Sequence, residues 1–170
     1  MKKTFIILFS ILATCAFSQV AIGKPTVTNT SVSLEFGSES RGLLLPWVTS
    51  AASVTGAVDG TIIYDITDKK VKYLKAGSWF DLSDRGAVDT TLQDSLTEKS
   101  TAKAAIGKDG ATDTTPGILV LTDSDKAMIL PKVASPHLNI INPSAGMLVY
   151  DTLAHQLAVF NGTVWSFWKP

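Results

Sequence analysis

Gly60-Thr61-Ile62-Ile63-Tyr64-Asp65 returns 86 residues later as Gly146-Met147-Leu148-Val149-Tyr150-Asp151. In each, a glycine opens a run whose side chains alternate. Ile62 and Tyr64 fall on one side and Ile63 and Asp65 on the other, the period of two expected of a strand. The match extends in both directions. Trp79 returns as Trp165 at the same shift of 86, and Arg41–Val48 (RGLLLPWV) returns as Lys126–Val133 (KAMILPKV) at a shift of 85. Val20-Ala21-Ile22-Gly23-Lys24 returns as Ala104-Ala105-Ile106-Gly107-Lys108, with Thr28 and Thr30 matching Thr112 and Thr114, at a shift of 84. Two one-residue insertions reconcile the blocks, so the chain is an internal duplication.

Each copy reads as β structure. The runs Leu43–Val48 and Met128–Val133 are interrupted by Pro46 and Pro131; a proline lacks a ladder donor and suits a strand end or a sheet edge. Residues 49–59 and 134–145 are small and polar, giving a loop or a short helix. After the Gly60 and Gly146 strands a polar reversal follows, with Asp65 and Asp151 placed to accept N–H groups of the turn. Val71 and Tyr73, then Leu157 and Val159, mark the return strand. Ala76-Gly77 and Asn161-Gly162 predict a second tight turn, Asn-Gly being a strong signal for one. A last strand carries Trp79 or Trp165. The expected fold is mainly β: two tandem small modules, each closing in a three-stranded meander, at residues 19–83 and 104–170. Residues 84–103 join them as a polar linker. Leu92, Leu96, Ala102 and Ile106 have nearly helical spacing there, so an extended segment with a helical turn or two is expected.

The N-terminus bears on the compartment. Met1-Lys2-Lys3 followed by the apolar Phe5–Ala13 and the small residues Ala16 and Ser18 predicts a signal peptide over residues 1–18, cleaved by signal peptidase I near Ser18 and Gln19. Leu12-Ala13-Thr14-Cys15 offers an alternative, a lipobox with lipidation at Cys15, although Thr14 departs from the small residue usual there. Cys15 is the only cysteine, so a chain starting at Gln19 draws no stability from disulfides. Loss of Lys2 and Lys3 from 15 basic residues leaves 13 against 15 acidic ones, a net charge of −2, which excludes an electrostatic footprint for nucleic acid. No later segment is long and apolar enough to span a bilayer. A secreted or cell-surface protein is expected.

The repeated blocks resemble secreted repeat proteins of Bacteroidetes-type bacteria, and the closing hairpins resemble units of phage tail-fibre and receptor-binding proteins. Val20–Gly23, Ser33–Phe36, Arg41–Val48, Gly60–Asp65 and Val71–Trp79 carry the resemblance in the first copy. Ala105–Gly107, Lys126–Val133, Gly146–Thr152 and Leu157–Trp165 carry it in the second. It implies β-rich modules outside the cell, in elongated or trimeric assemblies, without implying one activity. Trp47 stands where the pattern usually has a basic residue; Lys132 keeps it.

No catalytic set can be assembled from these residues. His137 and His155 align with Ala52 and Lys69, so the module does not require them, and neither has metal-ligand spacing. Asp65 with Asp68, or Asp109 with Asp113, is too sparse for a calcium loop. No enzyme activity, cofactor or metal is expected. The repeated positions Pro46, Pro131, Gly60, Gly146, Tyr64, Tyr150, Asp65, Asp151, Trp79 and Trp165 read as structural. Trp47 and Trp168 lack a tryptophan counterpart and are the candidate ligand contacts, since indole faces stack on sugars and anchor interfaces. The expected partners are further copies of the chain, a homotrimer by analogy, or other surface proteins; a glycan is the alternative.

Overall fold

The computed structural model describes residues 19–169 apart from 92, 98 and 100. The expected signal peptide and Cys15 lie outside the described residues. The fold is mainly β, as the pattern predicts. The strands are β1 (Val20–Ile22), β2 (Val32–Phe36), β3 (Leu43–Leu44), β4 (Trp47–Val48), β5 (Ile62–Asp65), β6 (Lys70–Lys75), β7 (Ser78–Asp81), β8 (Ala104–Ile106), β9 (Leu119–Leu121), β10 (Ala127–Ile129), β11 (Lys132–Val133), β12 (Met147–Asp151), β13 (Gln156–Phe160) and β14 (Trp165–Trp168). A single 3-10 turn, Ala51–Ser53, and one helical turn, α1 (Pro136–Asn139), occupy the two loops read as loop or short helix.

Each copy closes in the expected meander. In the first, β4 lies parallel to β5, and β5, β6 and β7 follow antiparallel; in the second, β11, β12, β13 and β14 repeat that order. Registers match across the duplication, since Tyr64 faces Val71 and Lys72 faces Asp81 as Tyr150 faces Leu157 and Ala158 faces Phe167.

The Pro46 and Pro131 runs behave in a way that short apolar stretches do not announce. Pro46 ends β3 and lets the chain restart as β4. β4 pairs within its own copy, but β3 crosses to the other and pairs antiparallel with β12, Leu43 facing Leu148 and Leu44 facing Met147. β10, the counterpart of β3, instead lies parallel to β2 of the first copy. The parallel pair of β1 with β2 is repeated by β8 with β9. Flanked on both sides, Val32, Ser33, Leu34 and Glu35 of β2 are all buried. The buried Glu35 carboxylate is compensated in full: Lys24 lies 2.6 Å away, the Thr28 amide donates at 2.6 Å and the Thr28 hydroxyl at 2.7 Å. Its bond to Lys24 above all, with those from Thr28, holds its pKa at about 2.

Sheets β4–β7 and β11–β14 pack through a common core. Leu45, Tyr64, Val71 and Leu82 of the first copy meet Ala145, Leu148 and Val159 of the second. Residues 84–88 contribute to the same packing. The Gly86 amide donates to the Lys69 carbonyl and the Ala87 amide to the Asn161 carbonyl, and Val88 rests on the core. Beyond them, the Gln93 and Asp94 amides both donate to the Thr90 carbonyl, while Leu92 of the expected helical spacing lies outside the described residues. On the outside of β11–β14, Val133, Ile140, Val149 and Ala158 form a smaller cluster beneath α1.

The tight-turn reading holds for one copy only. Ala76 and Gly77 both have positive φ, 50° and 71°, between the paired Lys75 and Ser78. Asn161-Gly162 does not form the matching two-residue turn. Phe160 pairs with Trp165, so four residues separate the strands, and only Gly162 is left-handed. The Asn161 side chain is fully buried; it accepts the Thr163 and Val164 amides and donates to the Asp84 carbonyl. Holding the incoming linker takes the place of turning the chain tightly.

Candidate interaction surface

The surfaces that can act on a partner follow from how the two copies meet. Gly146 opens β12 at φ +82°, and a Cβ there would lie 2.9 Å from the Tyr64 Cβ. The tyrosine is fully buried against that glycine, and its hydroxyl donates to the Asn161 carbonyl at 2.9 Å. Burial, and secondarily the Asp65 charge, raise the phenol pKa above its ordinary value. Leu45 donates its amide to the Gly146 carbonyl. Trp47, half-buried and tilted against Tyr64 at 6.1 Å, donates its indole N–H to the Ala145 carbonyl at 2.7 Å. Trp168 donates its own to the Leu82 carbonyl at 2.6 Å and keeps 47 % of its surface exposed. The two tryptophans singled out in the sequence therefore both tie one copy to the other, and of the two only Trp168 is exposed.

The repeated aspartates organise loops. Asp65 accepts the Ala51 amide at 2.8 Å and the Asp68 amide at 2.9 Å. Asp151 accepts those of Ser135, Leu153 and Ala154. Burial opposes its charge, but the three amides and nearby His137 prevail and the pKa is lowered. His137 lies edge-on to Phe167 at 5.8 Å, and His155 occupies the left-handed turn position that Lys69 takes in the first copy. Trp79 and Trp165 are half-buried. Among the described residues no group of three His, Cys, Asp or Glu side chains is placed to hold a metal ion, and no helix is long and apolar enough to cross a membrane.

The outward faces of the two meanders differ in chemistry. On the first, Lys70 pairs with Asp81 at 2.6 Å, and Lys72 bridges Asp81 and Asp68. A shift of 86 puts Gln156, Phe167, Ala158 and Ala154 at those four positions in the second copy. A face carrying four charges has become an uncharged one, on which Phe167 is 39 % exposed and Ala158 is buried. Leu153 (71 % exposed) replaces Thr67 and Leu138 (72 %) replaces Ser53. These substitutions create an exposed apolar surface of the kind that marks an association site. They could have been read from the aligned repeats, but only with the register and the outward face in hand.

No curated protein and no solved structure matches the chain. One family does, over less than half of its length: residues 106–169, which hold the apolar meander, are similar to the phage tail like trimerisation region.

Proposed function

We propose that this chain is a non-enzymatic structural protein of tail-fibre type, exported to the cell surface or medium, that assembles as a homotrimer in which its second copy takes part in the contact. The observation that carries the reading is the similarity of residues 106–169 to a trimerisation region. The exchange of the Lys70, Lys72, Asp68 and Asp81 cluster for uncharged residues within that segment supports it, since desolvating four charges would oppose association, whereas burying the exposed Phe167, Leu153 and Leu138 favours it. Small modules with exposed strand edges gain both stability and edge protection by assembling.

Light scattering coupled to size exclusion tests the reading. With 18.1 kDa for the whole chain, a trimer gives about three times the mass of the processed protomer; a protomer mass at every concentration refutes it. Fractionation of the source cells tests export, which fails if the chain stays in the cytoplasm. A second reading, a carbohydrate contact, is favoured by the half-exposed Trp168 ring. It predicts a glycan-array signal lost on Trp168→Ala, and absence of any signal rejects it.

A further inference from the structure

The contact between the two copies is head-to-tail, and both halves of it recur unused. The Asp65 end of the first sheet packs on the Gly146 end of the second: Tyr64 covers Gly146, and β3 lies along Met147 and Leu148. A head-to-tail contact between duplicated units leaves one complementary surface at each extremity. At the first extremity, a Cβ on Gly60, the counterpart of Gly146, would meet nothing within 4 Å. Ile62 pairs with Tyr73 on one side, and among the described residues no strand pairs with its other side. At the second, Tyr150 is only half-buried where Tyr64 is fully buried, and among the described residues β10 pairs with β2 alone.

We propose that a second copy of this chain completes this contact, β10 of one chain adding antiparallel to β5 of the next with Tyr150 seated on Gly60. The proposal rests on the trimer reading and names the surfaces that close the trimer. The template within the chain sets the register: Leu43 facing Leu148 becomes Met128 facing Ile62, and Leu44 facing Met147 becomes Ile129 facing Thr61. Charge agrees, because the Trp47–Ala145 contact maps onto Lys132 and Asp59, a pair of opposite sign. Exposure agrees as well. Leu34 of β2, covered by β10, is 1 % exposed, whereas its counterpart Leu119 of β9 is 40 % exposed. The same junction would lay β3 of the next chain along β9, as β10 lies along β2. Head-to-tail contacts close into a ring when their rotation permits, and closure after three chains gives six modules joined by six equivalent junctions.

Cysteine cross-linking tests this arrangement, because residues opposite one another in an antiparallel pair are close enough for a disulfide. The chain is expressed from Met1 with Cys15→Ser and purified as its host processes it. Ile62→Cys and Met128→Cys variants are unfolded together, refolded, weighed by light scattering and oxidised. A covalent dimer is expected in the mixture, and none above background in either variant alone or in Met128→Cys mixed with Thr67→Cys. Thr61→Cys with Ile129→Cys is the second pair, should Ile62→Cys not fold. A trimer mass with neither pair cross-linking overturns the junction and leaves the trimer standing; a protomer mass overturns both.

Discussion

Removing one oxygen atom from Tyr64 isolates one of the bonds that join the two copies. Tyr64→Phe keeps the ring in its fully buried place and deletes the hydroxyl that donates to the Asn161 carbonyl at 2.9 Å and, more weakly, to the Ala87 carbonyl at 3.3 Å. Asn161 is itself fully buried, so its carbonyl loses a donor where water cannot readily replace it. A hydrogen bond is worth about 1 kcal/mol net, and a stranded buried partner raises the loss to about 1–3 kcal/mol. The Ala87 amide still reaches the Asn161 carbonyl at 3.2 Å, which places the expected loss near the lower end, about 1–2 kcal/mol. For a chain of this size that lowers Tm by about 2–8 °C. Tyr73→Phe is the control: its hydroxyl makes no hydrogen bond among the described residues, and a change within about 0.5 kcal/mol is expected. Urea denaturation of both variants at one protein concentration, needed because assembly adds to stability, measures the difference. Equal stabilities would refute the claim that this bond couples the copies.

Leu148 is 2 % exposed in the shared core, so Leu148→Ala should cost about 2–5 kcal/mol. Because both copies line that core, fluorescence and circular dichroism should report one transition shifted as a whole; a first-copy transition left in place would count against the shared core. Asp151→Ala frees three amides and should lower stability by about 2 kcal/mol or more, visible as a lower melting temperature. Glu35, held at about 2 against an ordinary 4.5, binds its proton less readily folded than unfolded. Its contribution is therefore complete above about pH 4.5 and is lost as pH falls towards 2. Glu35→Gln should flatten that part of the acid-unfolding profile, and an unchanged slope would show that Lys24 and Thr28 do not stabilise the charge.

The meanders were legible because alternation and turn chemistry are local and the duplication states them twice. Ile62–Asp65 and Met147–Asp151 need no distant partner to be recognised as strands. The crossing of β3 was not legible, since two residues, Leu43 and Leu44, contain no period that names a partner. Asn161-Gly162 misled because the sequence does not show that the asparagine is buried on the Asp84 carbonyl. The interaction surface was half legible. Trp47 and Trp168 stand out by lacking a tryptophan counterpart, but the carbonyls they bond lie 98 and 86 residues away. The exchange of Asp81 for Phe167 acquires meaning only when the register places both on the outward face.

The crossing of β3 onto β12, with that of β10 onto β2, also sets the order in which this chain can become stable. Both ladders join residues about 100 positions apart, so contact order is high and folding should be slow for a protein of this length. Until residues 127–151 have been synthesised, β2 has only β1 beside it and β3 has no edge to join, so the Leu43–Leu45 triplet stays open to other chains. A ribosome-bound first half should therefore be captured by holdase chaperones, and release should await the second half.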